Sequence, residues 1–264
     1  MIYWLKTGVD IQSSGYGYDG NCFPLDSNVS SINMDTPERK YQTKKIIGNG
    51  ASVSGGDSYA DRVITISRVF KNDGSSVSGA LTAGRTTFIN KFIASYDSIY
   101  LIRNYNGSLQ YIKVIPVLGN EKYKKLIVSE SFDIKLLCEL PFFKAVAPTV
   151  TSVFQKNAHY FDYSFTNDGV PTPVIFSGTF AGNDTELKLG VYNNYGVDIV
   201  RNFITGDIVT VDSSDLSVYI NNVQYFNLVI TGTPFNALAG ASTLRIESVT
   251  NIDNCTLTYT GRYL

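Results

Sequence analysis

Apolar and polar residues alternate along most of this chain in short runs, and turn-forming residues separate one run from the next. In the stretch 216–220, for example, Leu216, Val218 and Ile220 are aliphatic and the residues between them are not. A period of two is typical of a strand with one face on a core and the other in solvent. Because such runs recur from end to end, the pattern predicts a mainly β protein.

Two dipeptides predict tight hairpins. Asn106-Gly107 lies between apolar runs at 99–105 and 109–117, and Asn221-Asn222 follows the stretch 216–220. Asparagine and glycine tolerate a positive φ better than other residues do, which is what the two-residue primed turn of a hairpin requires. We therefore expect an antiparallel hairpin at each of these places.

One segment departs from the strand pattern. Within residues 83–96 the apolar residues recur every three or four positions, as they do on one face of a helix: Phe88, Ile89, Phe92, Ile93 and Tyr96. Thr82 precedes the segment and suits the N-cap position. We expect a single α-helix here, with its apolar face on a sheet.

The length allows two domains of ordinary size, because 264 residues can build two separate cores. A proline-aromatic step at 140–143 ends a long strand pattern that covers 123–139. We place the boundary at this step, so that residues 1–145 form an N-terminal β domain with the one helix and residues 146–264 form a second β domain. Many short strands at turn-limited spacing indicate β-sandwiches, and in the second domain a sandwich or jelly roll.

Charge and composition exclude several functions. The formal net charge is −1 and 17% of the residues are charged, so the chain offers no electrostatic footprint for nucleic acid or anionic lipid. No apolar segment approaches the ~20 residues of a membrane span, and the N-terminus does not read as a signal sequence. We expect no membrane insertion, no direct grip on DNA, and synthesis in a cytoplasm. Cys22, Cys138 and Cys255 adjoin apolar runs, which predicts buried thiols rather than a disulfide.

Candidate catalytic and metal-binding residues are few. His159 is the one histidine, and we interpret it as a partly buried structural residue rather than a catalytic base. Two acidic sets offer oxygen ligands for calcium: Asp212 with Asp215, and Asn183 with Asp184 and Glu186. Neither has the repeated ligands and central glycine of a dedicated loop, so solvated turns are the preferred interpretation. The sequence predicts no catalytic site, no metal site and no cofactor.

Two polar segments are candidate interaction sites. Residues 48–56 read GNGASVSGG and suit a flexible hairpin tip; a phosphate-binding loop is disfavoured because Asp57 follows the last glycine. The other segment contains Tyr192, Asn193, Asn194 and Tyr195. Such a loop can stack on a sugar and hydrogen-bond to it, can dock a protein, or can be ordinary surface, and these alternatives stay open.

The order of several of these features resembles the distal tail proteins of long-tailed bacteriophages, the ring at the tail tip. The C-terminal domain of that family has a Gly-Asp, a short strand ending in Asp, an Asn turn, a loop with Phe, Leu and Gly, and an aromatic close. This chain has Gly206-Asp207, Asp212, Asn221-Asn222, 235–240 and 259–264 at the corresponding places. Residues 167–169, 173–175 and Gly178 match it as well.

In the first domain, four residues fall where the family has a glycine-rich turn before a strand that starts with an aromatic residue and an arginine: Gly48, Gly50, Tyr59 and Arg62. The resemblance makes them candidate subunit contacts, on an extended arm that reaches a neighbouring subunit. It makes Tyr192, Asn193, Asn194 and Tyr195 candidates for docking a partner protein or a glycan.

The resemblance implies a structural function and no enzymatic activity. It implies a homohexameric hub ring in which the first domain closes on the tail tube and the second domain, galectin-like in fold, projects toward adsorption proteins. The implied partners are copies of the chain itself, the tail tube protein, a tail-associated tip protein and receptor-binding proteins, with DNA passing through the channel without specific binding. The implied location is the distal tail tip of the virion, after assembly in the bacterial host cytoplasm.

Two other classes of function remain as alternatives. A carbohydrate-binding β-sandwich module that acts as a monomer is the first, because of the tyrosine- and asparagine-rich loop. A hydrolase is the second, because spacing alone does not exclude a pair of catalytic carboxylates.

Overall fold

The structure is a computed structural model. It describes residues 2–25, 29–34, 39–46, 50–71, 89–93, 98–117, 122–125, 129–191, 194–225 and 229–264. The chain divides into two compact units, of which the first comprises Met1–Val146 together with Leu264 and the second comprises Ala147–Tyr263.

The first unit contains eleven described strands and one short α-helix: β1 (Ile2–Thr7), α1 (Gly8–Ser14), β2 (Phe23–Leu25), β3 (Val29–Met34), β4 (Arg39–Ile46), β5 (Gly50–Tyr59), β6 (Val63–Lys71), β7 (Ile99–Tyr105), β8 (Ser108–Pro116), β9 (Lys122–Lys125), β10 (Ser129–Cys138) and β11 (Phe143–Ala145). Its main sheet has the order β2-β1-β7-β8-β10-β6-β3, with β9 beside β10 and β11 beside β8. The strands β4 and β5 form a separate two-stranded hairpin.

The core of the first unit follows the predicted alternation. In the β7–β8 hairpin, Ile99, Leu101, Ile112 and Val114 are buried, and β6 and β10 also bury alternate residues. The turn between β7 and β8 has a positive φ at Asn106 (49°) and at Gly107 (84°), as a primed turn requires. The predicted hairpin is therefore confirmed.

The helical content differs from the prediction. Of the predicted helix 83–96, the structure describes a π-helical turn, Ile89–Ile93, in which Phe92 is buried, and the rest of that range lies outside the described residues. The α-helix that is described, α1, was not predicted. Thr7 and Asp10 form a reciprocal capping box at its N-terminus, but the helix buries no residue, so it has no apolar face to give a periodic signal.

A second difference concerns the long strand predicted over 123–139. The structure has two antiparallel strands in this region, β9 and β10, and residues 126–128 between them lie outside the described residues. Within β10, Ile134, Leu136 and Cys138 are buried on one face, as predicted. The alternation thus identified the buried face but not the place where the chain turns.

The second unit is a β-sandwich. Its strands are β12 (Thr149–Val150), β13 (Phe154–Lys156), β14 (Tyr160–Asn167), β15 (Ile175–Phe180), β16 (Asp184–Val191), β17 (Asn194–Phe203), β18 (Ile208–Asp212), β19 (Ser217–Ile220), β20 (Val223–Gln224), β21 (Val229–Gly232), β22 (Gly240–Glu247), β23 (Ile252–Tyr259) and β24 (Arg262–Tyr263). One sheet has the order β12-β23-β15-β18-β19-β20, with β13 also beside β23, and the other has the order β14-β22-β16-β17-β21.

One apolar core fills this sandwich, and both sheets contribute to it. Phe176, Val211 and Leu257 come from the first sheet, and Leu189 and Ile246 come from the second. Each of these strands presents alternate residues to the core, because side chains along a strand point to opposite faces. The predicted fold class, mainly β with sandwich architecture, is therefore confirmed.

Two of the three cysteines are buried. Cys138 and Cys255 are buried, as expected, and burial raises the pKa of their thiols to about 11 and about 12. Cys22 is only half-buried, and all three thiols are free. Among the described residues, no helix has the length and apolar character needed to span a membrane.

An ion pair between a buried lysine and a partly exposed aspartate ties the segment after α1 to the first strand. The Lys6 ammonium is fully buried and donates hydrogen bonds to Ser14 Oγ (3.0 Å), Gly15 O (2.8 Å) and Asp19 Oδ2 (2.7 Å). These three bonds use all the donors of the ammonium group, which offsets the cost of burying a charge. The hydrogen bond from Lys6 is also the main reason that the pKa of the Asp19 carboxyl is lowered.

Replacement of Asp19 by Asn is expected to lower the Tm, and the loss should be larger near neutral pH than in acid. Because the folded pKa of Asp19 lies below its unfolded value of ~3.9, the bond contributes stability above that value and loses it as pH falls toward the folded pKa. Thermal unfolding of D19N and of the unsubstituted protein at about pH 7 and about pH 3 measures the difference. An equal loss of Tm at both pH values would contradict this role of the ionised carboxylate.

Candidate functional site

Two of the turns singled out in the sequence are bonded to each other. Gly206-Asp207 turns the chain between β17 and β18, and the φ of Gly206 is +91°, which favours glycine. The buried Asp207 carboxylate accepts hydrogen bonds from Ile204 N (3.1 Å) and from Asn221 Nδ2 (2.9 Å). Asn221 Oδ1 accepts one in turn from Ile208 N (2.9 Å). We call this arrangement the Asp207–Asn221 clasp.

The Asn turn itself has the predicted geometry. Asn221 and Asn222 both have a positive φ, 51° and 66°, so they form the central residues of a primed turn between β19 and β20. Asn221 is therefore needed twice, once for its backbone conformation and once for the amide that holds Asp207. This double requirement explains why an Asn, rather than a Gly, suits the first position of the turn.

At the other end of β18, Ser213 joins three segments. Its hydroxyl accepts a hydrogen bond from Val174 N (2.9 Å) and donates one to Phe235 O (2.8 Å). Ser213 N donates to Val174 O (3.0 Å), and Phe235 N donates to Ser213 O (3.1 Å). Ser213 is buried, whereas the sequence suggested a solvated turn over 212–215.

The loop 235–240 is fixed to the sandwich by the backbone of Ala237 and by the ring of Phe235. Thr172 N donates to Ala237 O (3.1 Å) and Ala237 N donates to Thr172 O (2.8 Å). Phe235 lies against Gly196 so closely that a Cβ on that glycine would be 2.0 Å from the ring. The phenylalanine and the glycine are thus parts of one packing arrangement.

The turn 167–169 connects that loop to the end of the chain. The buried Asn167 side chain donates to Val170 O (3.0 Å) and Leu238 O (3.2 Å) and accepts a hydrogen bond from Gly169 N (3.2 Å). A Cβ on Gly169 would be 2.0 Å from Arg262 O, which accepts a hydrogen bond from Val170 N (2.8 Å). Only glycine therefore fits beside the last strand.

The segments that carry the resemblance thus form a connected set of turns within the second unit. Their side chains hold backbone N–H and C=O groups at the ends of strands, where the sheet ladders leave them unpaired. Because these side-chain donors and acceptors are already bonded to the backbone, their arrangement is that of residues that hold the fold and not of a catalytic site.

The two candidate calcium sites have structural roles. Asp212 Oδ1 accepts hydrogen bonds from Ser214 N (2.8 Å) and Ser214 Oγ (2.7 Å), and Asp215 Oδ1 accepts one from Ser217 N (2.9 Å). In the other set, Asp184 is buried rather than solvated. Within the described residues, no group of three or more His, Cys, Asp or Glu side chains is placed to hold a metal ion.

Asp184 and the fully buried Lys156 fix the same turn. The carboxylate accepts hydrogen bonds from Thr185 N (2.7 Å) and Thr250 N (2.9 Å), and the Lys156 ammonium donates to Ser248 O (2.6 Å) and Thr250 O (2.5 Å). Burial acts to raise the pKa of Asp184, but the backbone N–H groups outweigh it and lower the pKa. Burial lowers the pKa of Lys156. Nothing in the sequence pattern marked Lys156 as an internal residue.

His159 is more exposed than the sequence suggested. Its side chain is 46% exposed, Nε2 lies 3.4 Å from Glu247 Oε1, and the ring meets the Tyr160 ring edge to face at 4.4 Å. It lies just before β14 on the surface of the sandwich. The prediction of a partly buried histidine was therefore wrong, and its contacts are those of a surface ion pair.

A tyrosine-lined cleft in the first unit was not identified from the sequence. It has a volume of roughly 160 Å³, and its lining includes Tyr16, Tyr100, Tyr111, Lys113 and Glu139. The Tyr16 ring stacks on Tyr111 at 4.6 Å, and burial together with the neighbouring phenols raises the pKa of Tyr16 to about 12. Lys113 and Glu139 pair at 2.8 Å, and Lys144 also lines the cleft.

The predicted interaction residues fall in different places. Gly48, Tyr192 and Asn193 lie outside the described residues. Gly50 and Tyr59 are the first and last residues of β5.

Asn194 and Tyr195 begin β17, where they pair with Val191 and Gly190 of β16. The described part of the polar segment thus lies at the end of the β16–β17 hairpin. Gly196, the next residue, is the glycine on which Phe235 packs.

Arg62 is buried rather than displayed. Its Nη1 donates to Pro141 O (3.2 Å), its own carbonyl accepts a hydrogen bond from Cys138 N (2.9 Å), and its guanidinium lies 5.7 Å from the centre of the Phe143 ring. It therefore joins the start of β6 to the segment that follows β10.

Comparison with known proteins supplies the family. Residues 169–263 match the family model described as the siphovirus-type tail component, C-terminal domain. This part of the second unit is similar to a phage tail domain. The match begins at Gly169, in the turn that contacts Arg262, and it covers the Asp207–Asn221 clasp. The resemblance to bacteriophage distal tail proteins is thus confirmed.

A solved phage protein shares the fold of the whole chain. The Dit protein of phage SPP1, described as a paradigm of the hub adsorption apparatus in phages that infect Gram-positive bacteria, matches with a TM-score of 0.61 and 12% identity over 100% of both chains. The phage P2 baseplate in its activated conformation with calcium matches at a TM-score of 0.34 and 8% identity over 99% of this chain and 98% of that one. The same baseplate with strontium gives 0.33 and 8% over 98% and 97%. No curated protein sequence matches significantly.

The family match accordingly supports a structural component of a phage tail rather than an enzyme, and the whole chain shares the fold of the SPP1 Dit protein. The hydrogen-bonded turns agree with this conclusion, because the residues of the second unit that carry the resemblance are used to hold the fold.

Replacement of Asp207 by Ala is expected to destabilise the protein by about 1–3 kcal/mol, because it leaves Ile204 N and the Asn221 amide without their acceptor. Asn221→Ala should cost a similar amount. The double variant should cost clearly less than the sum, since both substitutions remove the same bond. Denaturant unfolding of the four proteins measures the coupling, and additive losses would contradict the clasp.

His159→Ala is the matched control for the clasp variants. Its side chain is half exposed and its ion pair with Glu247 is a surface contact, so its loss is expected to cost about 0–1 kcal/mol. A loss as large as that of Asp207→Ala would show that His159 has a structural role that its exposure does not suggest.

Proposed function

We propose that this chain forms the hub ring at the distal end of a long phage tail. In this proposal six copies close a homohexameric ring through the first unit, join the tail tube protein to a tail-associated tip protein, and continue the channel for DNA. The observation that carries it is the combination of the family match over 169–263 with a fold shared over the whole length of the SPP1 Dit protein.

Charge supports the part of the proposal that concerns the channel. A formal net charge of −1 gives the chain little attraction for phosphate, so DNA can pass without being held. The location that goes with this function is the distal tail tip of the virion, with assembly in the bacterial host cytoplasm.

The β4–β5 hairpin is the proposed contact between subunits. Among the described residues it pairs with no other strand, and a two-stranded ribbon is marginally stable by itself. Ring closure needs a heterologous, head-to-tail contact in which a projecting element of one subunit meets a different surface of the next. Gly50 and Tyr59 are the end residues of β5, and Gly48 lies between β4 and β5 in the sequence. We therefore propose these three as contact residues.

Arg62 has a different part in the proposal. Because its guanidinium is buried against Pro141 and Phe143, we propose that it positions the start of β6, directly after the hairpin, and does not contact the neighbouring subunit. Its effect on ring assembly would then be indirect.

Deletion of residues 40–58 and their replacement by a short Gly-Ser linker is expected to abolish the ring while leaving a folded monomer. The main sheet of the first unit does not include β4 or β5, so its ladder bonds survive the deletion. Light scattering gives the mass, negative-stain microscopy shows rings, and circular dichroism checks the strand content. Persistence of rings after the deletion would contradict the assignment of the contact, and absence of rings from the intact chain and from tail tips would contradict the proposed function.

The β16–β17 hairpin tip is the proposed docking point for adsorption proteins. Tips of this kind on a rigid sandwich are common positions for partner recognition. Tyr192, Asn193, Asn194 and Tyr195 are the residues concerned, and two tyrosines supply contact area at low conformational cost.

The double substitution Tyr192→Ala and Tyr195→Ala is expected to weaken attachment of a receptor-binding protein by about 10-fold or more while rings still form, because hot-spot tyrosines each contribute more than ~1 kcal/mol. Sedimentation of tails with and without the bound protein measures attachment. Specific glycan binding by the intact chain that the same substitutions abolish would favour a lectin function instead. Unchanged binding of both kinds would show that the tip is inert surface.

A further inference from the structure

The strand β14 is a long strand at the edge of its sheet. It has eight residues, pairs with β22 on one side, and has no strand on its other side among the described parts of the chain. The other described edge strands of the sandwich are shorter, with two residues in β12, three in β13, two in β20 and four in β21. Proteins normally shorten, interrupt or cover exposed edges, because a row of unpaired backbone groups is a template for another chain.

The direction of the backbone groups in β14 follows from two hydrogen bonds. Ser248 N donates to His159 O at 3.2 Å, so the antiparallel ladder places Phe161, Tyr163 and Phe165 in hydrogen-bonded pairs with β22. The residues between them must direct their N–H and C=O groups away from β22. Tyr259 Oη donates to Thr166 O at 2.7 Å, which independently confirms this alternation.

The open edge therefore displays the N–H and C=O groups of Tyr160, Asp162 and Ser164, with the N–H of Thr166 next in line. Among the described residues, no hydrogen bond within the chain uses these groups, and all four residues are exposed. The strand contains neither proline nor glycine, the residues that most often interrupt such an edge. Its backbone is thus set out for pairing along most of its length.

A row of aromatic rings lies along the same edge, on the face toward the core. Phe161, Tyr163 and Phe165 are only half-buried, and Phe154 stacks on Tyr163 at 3.8 Å. The rings remain partly open because no described strand lies beyond β14 to cover them. An added strand with apolar side chains on this face would complete the core at its rim.

The outer face of the edge has the opposite character. Arg245 donates two hydrogen bonds of 2.7 Å to the Asp162 carboxylate, so this ion pair is already neutral. Ser164 Oγ lies 3.4 Å from Thr243 Oγ1. Uncharged polar side chains on the added strand would suit this face better than a further charge.

We propose that the open edge of β14 takes an extended segment of another tail protein as an additional β-strand. The expected segment has apolar and uncharged polar residues in alternation and no proline at its centre. A protein strand is favoured over a sugar or a lipid because the unpaired groups repeat at about 7 Å along a line, the two-residue spacing of a strand. That the partner is a tail protein rests on the proposed function.

Hydrogen exchange on assembled tails tests the proposal directly. Tails of a phage that carries this chain are incubated in D₂O, dissociated at low pH, and read at single-amide resolution; the purified chain is treated in the same way. The amides of Asp162 and Ser164 should exchange about 100-fold or more slowly in tails than in the free chain. The amides of Phe161 and Tyr163, which already pair with β22, are the internal control and should be slow in both.

Substitutions of Ser164 distinguish loss of pairing at the open edge of β14 from loss of stability of the fold. Ser164→Pro removes an N–H that faces away from β22, so the existing ladder survives and the Tm should change little, while protection of Asp162 in tails should be lost. Ser164→Ala is the matched control, because it removes the contact with Thr243 and keeps the N–H. It should retain the protection.

Three results would overturn the proposal. Equal exchange of Asp162 and Ser164 in tails and in the free chain would show that no strand is added. Protection in the free chain that grows with its concentration would identify a second copy as the occupant instead. Protection that Ser164→Pro leaves intact would mean that a surface covers the edge without pairing. Microscopy of the same samples scores ring formation separately, so failure of the ring and failure of the edge are distinguishable.

Discussion

Satisfaction of backbone hydrogen bonds at the ends of strands is the constraint on which the second unit depends. A sandwich of short strands has many ends, and each end leaves N–H and C=O groups that the ladders do not use. The Asp207 carboxylate meets two such demands at once, because it accepts a bond from Ile204 N and holds the amide of Asn221, whose own oxygen serves Ile208 N. A buried polar group without a partner costs on the order of 1–3 kcal/mol, a large part of the stability of a small domain.

Buried lysine and arginine side chains bond polar groups inside both units. Lys6 and Lys156 are fully buried, and both direct their ammonium groups at backbone carbonyls of turns as well as at, or near, a carboxylate. Arg103 is a third example, since its Nε donates to Gln110 Oε1 at 2.7 Å and its guanidinium lies 3.9 Å from the centre of the Phe143 ring. Lys6 and Lys156 each fix a turn against a strand, whereas Arg103 bonds its partner across the β7–β8 hairpin. In each case the hydrogen bonds offset part of the cost of desolvating the charge.

This use of polar residues explains why the family can be read from so few positions. In the matched turns the buried side chains of Asp207, Ser213 and Asn167 bond backbone groups of neighbouring segments, so a change at any of them leaves such groups without a partner. The surfaces proposed to meet other proteins carry no such pattern of bonded polar residues. The end of the β16–β17 hairpin is a set of polar residues, and the edge of β14 is a row of backbone N–H and C=O groups without a neighbouring strand among the described residues. Fold and family are therefore visible in the sequence where binding partners are not.

The sequence by itself determined the local alternation and the turns. Leu136, Cys138, Val218 and Ile220 are buried where a period of two placed them, and Asn106-Gly107 and Asn221-Asn222 turn the chain where their tolerance of positive φ predicted it. These features depend on neighbours in sequence, so the pattern is sufficient to find them.

Only the tertiary structure decided which polar residues are internal. Ser213 sits in a stretch that reads as a solvated turn and yet bonds Val174 and Phe235 from inside the protein, and Arg62 reads as a contact for another subunit and yet bonds Pro141. His159 is the opposite case. The sequence suggested a partly buried side chain, and it is more exposed because β14, which follows it, lies at the edge of its sheet. Burial of these groups depends on segments far away in sequence, and one sequence contains no record of which segments will meet.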